Sequence, residues 1–141
     1  MTVTDANLCA ATANITITEP SVLVGAVAQA GTILCSGDQT VTLTASASGG
    51  TPNYGYAWSN GPLTAINANV GAGTYTVTIT DDNGCTDVLT EIVSGPSPLV
   101  VSNTVNNHAS CNGVCDGSAT ISVSGGTPNY TITWPGGLTG A

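Results

Sequence analysis

Apolar and hydroxyl side chains alternate along much of this chain. The clearest stretch runs from Thr74 to Thr80, with Tyr75, Val77 and Ile79 on one side and Thr76, Thr78 and Thr80 on the other. A period of two predicts a half-buried strand. The strand stops at Asp81-Asp82-Asn83-Gly84, where Asn-Gly supplies the positive φ of a tight hairpin turn. Cys85 to Val93 then reads as the returning strand. Val41 to Ser48 alternates likewise, with Val41, Leu43, Ala45 and Ala47 inward. The cluster Gly49-Gly50-Thr51-Pro52-Asn53 turns the chain, and Pro52 has no N–H to give a ladder. Tyr54, Tyr56 and Trp58 share one face of the following strand. Ala65 to Val70 is a weaker strand, and Leu23 to Val27 opens the unit. No segment carries a helical apolar stripe. Six or seven short strands between Gly, Pro and Asn turns predict an all-β protein of immunoglobulin-like β-sandwich type.

The pattern recurs. A shift of 76 residues places Ser48-Gly49-Gly50-Thr51-Pro52-Asn53-Tyr54 on Ser124-Gly125-Gly126-Thr127-Pro128-Asn129-Tyr130. It also places Trp58 on Trp134, Cys35 on Cys111, Pro20-Ser21 on Pro96-Ser97, and Asp5, Asn7 and Cys9 on Asp81, Asn83 and Cys85. The overlap needs no gap, which marks a tandem repeat. The expected organisation is the end of one repeat at 1–20, a complete sandwich at 21–96 and the first part of another at 97–141. Residues 97–141 placed before a copy of 1–20 would rebuild most of a sandwich. This predicts a fragment of a continuous fibre, or subunits that complete each other by strand donation.

Trp58 and, by the repeat, Trp134 are the expected core anchors. Tyr75 sits where immunoglobulin-like folds place a corner tyrosine. The competing role for these aromatics is an exposed platform on which sugars stack.

Charge narrows function. The chain has no Lys or Arg and eight acidic residues, a formal charge of −8. Phosphate-rich partners need a basic footprint, so nucleic acid is excluded, and an anionic membrane surface fails for the same reason. No apolar run approaches the roughly 20 residues of a membrane span, and the start of the sequence lacks the pattern of a signal peptide. Catalysis is equally poorly provided for. The single His108 has no counterpart in the other repeat, no Ser lies in a nucleophile elbow, and no phosphate loop is possible without Lys. The chain is expected not to be an enzyme and to need no cofactor.

A sandwich this small benefits from staples. Cys35 before one strand and Cys85 after the hairpin could meet at one end, so Cys35–Cys85 is the expected bridge. Closing a loop of about 50 residues would contribute roughly 4 kcal/mol. Cys111 and Cys115 could instead form a small local loop, or Cys115 could replace Cys111 as the long-range partner. Zinc is not expected from this spacing. Asp81, Asp82 and Asn83, with Asp38, could offer oxygen ligands to calcium; the plainer role of Asp81 is to bond the turn backbone. Asn14-Ile15-Thr16 and Asn129-Tyr130-Thr131 fit the glycosylation pattern.

Taken together, Cys35, the Ser48 to Tyr54 turn, Trp58-Ser59-Asn60-Gly61, Ala72 to Asp81 and Asn83-Gly84-Cys85 resemble the SprB-type repeat of Bacteroidetes cell-surface gliding adhesins. Cys111-Asn112-Gly113 and Cys115 to Thr120 in the second copy add to the likeness. Asn53 departs from the commoner second proline of that family. The resemblance implies a module of a very large surface protein, exported by the type IX system, that forms filaments for adhesion or gliding. The implied partners are copies of itself or adjacent repeats end to end in a fibre, and surface polysaccharide. The alternative is a carbohydrate-binding accessory module of a secreted enzyme.

Overall fold

The computed structural model describes residues 1–113, 116–134 and 139–140. Those residues contain twelve strands and no helix: β1 (Thr2–Thr4), β2 (Ala10–Thr12), β3 (Val24–Ala30), β4 (Val41–Ser48), β5 (Gly55–Trp58), β6 (Ile66–Val70), β7 (Gly73–Thr80), β8 (Thr86–Val93), β9 (Val100–Asn107), β10 (Ser118–Ser124), β11 (Ile132–Thr133) and β12 (Thr139–Gly140). The fold is all-β, as the alternation predicts. β4 and β7 fall where the pattern places them, because each has a continuous inward row of Val, Leu or Ile opposite Thr.

β3 to β8 form a sandwich of two three-stranded sheets, ordered β3-β4-β6 and β5-β7-β8. Every pairing is antiparallel. The inward rows meet between the sheets. Val41, Leu43, Val77 and Ile79 are wholly buried, and Ala45, Trp58, Val70 and Val93 complete the core. Their removal from water is the main favourable term holding so small a unit. At the open side β3 lies against β8: the Gly25 N–H donates to Asp87 Oδ2 at 2.8 Å. A Cβ on Gly25 would come within 2.6 Å of the Cδ1 tips of both Leu89 and Ile79, so a larger residue there would have to push those side chains aside.

The register defines two poles. Val24 pairs with Ser48, and Gly55 and Thr86 both pair with Thr80; these lie at the upper pole. Val41 pairs with Val70 and Gly73 with Val93 at the lower pole. β4 climbs from lower to upper and β7 climbs again. Between them β5 and β6 make one descent split across two sheets. β5 leaves β7 at mid-height, where the Ser59 N–H donates to the Thr76 carbonyl. The chain crosses to the other sheet, where the Ala45 N–H donates to the Ala65 carbonyl, and β6 continues downward along β4.

Outside residues 24–93 the period is visible in three dimensions. β1 and β2 form a hairpin, as β7 and β8 do one period later, and β9 pairs with β10 as β3 does with β4; β11 and β12 also pair, without a central counterpart. Gly125, Gly126 and Asn129 have φ of 72°, 60° and 82°, against 71°, 58° and 83° at Gly49, Gly50 and Asn53. In the second copy Ile121, Val123 and Trp134 are half-buried and Ala119 is exposed. Leu99, Val101, Ile121, Val123, Tyr130 and Ile132 line an open hollow. Leu23, Ala45 and Tyr54 are the central counterparts of Leu99, Ile121 and Tyr130, and there the second sheet covers this face.

Candidate functional site

The upper pole is built from two turns that interlock. Gly49 and Gly50 take the left-handed backbone that reverses the chain after β4. The Gly50 N–H donates to the Ser21 carbonyl at 2.7 Å, and the Tyr54 hydroxyl donates to the Gly49 carbonyl at 2.7 Å. Across from this turn, Asp81 ends β7. It is 5% exposed, and its carboxylate accepts the backbone N–H groups of Thr51 (2.8 Å), Asn83 (3.0 Å) and Cys85 (2.8 Å). The Thr51 bond does most to hold its pKa below the ordinary carboxylate value, with Cys85 and Asn83 adding to it and burial opposing. The Asp82 N–H returns a bond to the Thr51 carbonyl, and Asn83 Nδ2 bonds Thr51 Oγ1.

Asp5 holds the first hairpin in the same way. Its Oδ1 accepts from Asn7 and Cys9 at 2.9 and 2.8 Å, one period before Asn83 and Cys85. The second copy repeats the other half of the pole: the Gly126 N–H donates to Ser97 and the Tyr130 hydroxyl to Gly125.

The lower pole is the loop from Gly31 to Thr40. Asp38 Oδ2 accepts the Cys35 N–H at 2.8 Å, and the Asp38 N–H donates to the Cys35 carbonyl at 3.1 Å. This loop lies beside Gly71, and Ile33 lies against Ala72 and Gly95, where β8 leaves the sandwich.

This geometry corrects the expected staple. Cys35 stands at the lower pole and Cys85 at the upper, with the whole of β7 between them. Eight residues of strand span about 26 Å, whereas a disulfide needs Cα atoms within about 7 Å. Cys9, Cys35, Cys85 and Cys111 are all exposed free thiols. The expectation fails because β5 and β6, two separate strands in the sequence pattern, make a single descent. Three passes, not four, separate the two cysteines. Cys115, and with it the local Cys111–Cys115 alternative, lies outside the described residues.

The calcium candidates also separate. Asp38 is at the opposite pole from Asp81, Asp82 and Asn83. Asp81 is already bonded by three N–H groups, while Asp82 and Asn83 are exposed. Among the described residues no three His, Cys, Asp or Glu side chains gather as a metal set. His108 is exposed.

The aromatic residues of the central sandwich serve its core. Trp58 is 4% exposed and its indole Nε1–H donates to the Thr64 carbonyl at 3.0 Å, which leaves no free face for a sugar. The Tyr75 hydroxyl donates to the Gly71 carbonyl at 3.0 Å, the four-residue reach of a tyrosine corner. One feature gave no signal in the apolar pattern. Asn67 is 1% exposed and points inward from β6, while Ile66 faces solvent. A register shift between Val41 and Leu43 and a φ of 56° at Asn69 set this phase.

A comparison with known families places these elements. The model of the SprB repeat matches residues 33–63 and 102–139. These two segments are similar to the SprB repeat. The first runs from the lower-pole loop through β4, the upper-pole turn and β5. The second ends one 76-residue period later, at the corresponding position. The SprB repeat is associated with cell-surface proteins, and the match suggests a module of cell-surface adhesin type. No curated protein and no solved structure matches it. No helix among the described residues is long and apolar enough to cross a membrane.

Proposed function

We propose that this chain is a length of an extracellular filament, in which repeats stacked in series carry a bacterial surface adhesin used for attachment or gliding. It acts by its shape and strength, without catalysis or cofactor. The observation that carries this reading is the placement of the entry and exit of the central repeat. The chain enters at the upper pole, beside Gly49 and Gly50, and leaves at the lower pole, beside Ile33. A repeat joined at opposite poles extends a chain instead of folding it back. The absence of Lys and Arg suits a surface exposed to trypsin-like proteases. The type IX route is the export path this reading carries, and the partners are neighbouring repeats and the polysaccharide or solid surface met by the filament.

The test is made on cells of the source bacterium. An antibody raised against this chain should label intact cells on thin filaments, and deletion of the gene should reduce attachment or gliding at least severalfold. Labelling only after lysis would overturn the surface reading. Unchanged attachment and gliding in the deletion strain would overturn the adhesive one.

A further inference from the structure

The poles raise the question of what an unpaired cysteine at each end of a repeat is for. Cys35 lines a hollow together with Leu34 and Ser36 of its own loop, and its other wall is Ser97, Leu99, Gly126 and Tyr130 of the following repeat. One period earlier, the counterparts of Ser97, Leu99 and Gly126 are Ser21, Leu23 and Gly50. Those three residues line a second hollow at the upper pole, and Cys85 lines it with them. The lower-pole cysteine of one repeat therefore faces the patch of the next repeat that carries the upper-pole cysteine.

We propose that the cysteines of this array pair between repeats: Cys35 of one repeat with the residue that occupies position 85 of the repeat after it. Each joint between sandwiches then carries one covalent tie, and no sandwich is stapled internally. Partners under this rule are 126 residues apart, the sum of 50 between Cys35 and Cys85 and one period of 76. No two of Cys9, Cys35, Cys85 and Cys111 have that spacing, which accounts for all four being free. Both thiols are exposed and so accessible to exchange. The bond forms when the two thiols give up two protons and two electrons to a disulfide oxidant, which leaves as two thiols. The inference rests on repeats in series and not on what the filament binds.

The test uses the full chain extended at its C terminus by a copy of residues 66–96, which carries the second repeat through its own hairpin. After equilibration with oxidised and reduced glutathione, pepsin digestion at acid pH and mass spectrometry map the unreduced peptides. The expected product joins Cys35 to the copy of Cys85 and disappears on reduction. Cys35 joined to Cys85 of its own repeat, or Cys35 carrying only glutathione, would overturn the proposal. A second measurement needs no extension. In the full chain carrying Ser97→Cys, a short bismaleimide should link Cys35 to position 97. A link from Cys35 to Cys85, or none from Cys35 to position 97, would count against it. Loss of surface labelling on cells would leave either result standing, so the two readings fail separately.

Discussion

Asn60 and Asn67 face each other amide to amide. Asn60 Nδ2 donates to Asn67 Oδ1 at 3.1 Å, and Asn67 Nδ2 donates to Asn60 Oδ1 at 2.8 Å. The pair ties the crossing segment between the sheets to β6 and satisfies a polar group inside the sandwich. Asn60→Ala leaves the Asn67 amide buried and unpartnered, which should cost about 1–3 kcal/mol. Asn60→Ala and Asn67→Ala combined should cost less than the sum of the single changes, because one interaction is removed in all three. Urea unfolding of the four proteins measures this.

Tyr75→Phe removes only the hydroxyl that bonds the Gly71 carbonyl. The ring stays in place, so the loss should be about 0.5–1.5 kcal/mol. It should appear as a lower urea midpoint with an unchanged slope.

Asp81 makes stability depend on acidity. Its folded pKa is lowered, so the unfolded chain takes up its proton first as the pH falls. The stabilisation is complete above the ordinary carboxylate value of 3.8 and is lost as the pH falls from there through the folded value. Asp81→Asn should lower stability at neutral pH and flatten this part of the acid limb. Urea midpoints of both proteins from pH 7 to pH 2 give the difference curve.

Two glycines should respond in opposite directions to alanine. At Gly49 the φ is 71° and a Cβ would lie 2.0 Å from the Val22 carbonyl oxygen. Gly49→Ala should destabilise by at least about 1–3 kcal/mol, the strain of the left-handed region alone. At Gly55 the backbone is that of a strand and a Cβ meets only the Thr80 carbonyl, at 3.8 Å. Gly55→Ala should stabilise by about 0.4–1 kcal/mol through the unfolded chain. Thermal unfolding of the two variants distinguishes them.

The strands were legible where a single face is buried. Val41 to Ser48 and Thr74 to Thr80 alternate cleanly because one side meets only the core and the other only water or a neighbouring Thr. The turns were legible because Gly49-Gly50 and Asn83-Gly84 adopt backbone that other residues avoid. What could not be read was the height at which the chain changes sheets. Nothing in Ser59 to Ala65 distinguishes a reversal from a sideways crossing, and that difference decides which pole each later residue occupies. Cys35 and Cys85 were misplaced for this reason. Asn67 was hidden for a related one: an extra residue in β6 between the partners of Val41 and Leu43 shifts its phase, so its one inward polar side chain falls out of step with the apolar pattern.

The contact between β3 and β8 has a mechanical consequence. Both strands run from the upper pole to the lower, one at the entry of the repeat and the other at its exit. A pull on a chain of such repeats draws β3 upward and β8 downward, so it acts along their contact in shear. The Gly25–Asp87 hydrogen bond and the close seat of Gly25 on Leu89 and Ile79 lie in the path of that force. Sliding two strands past each other must break such contacts together, whereas peeling would break them one at a time. A sandwich joined in this way should need more force to open than one whose strands could be peeled apart.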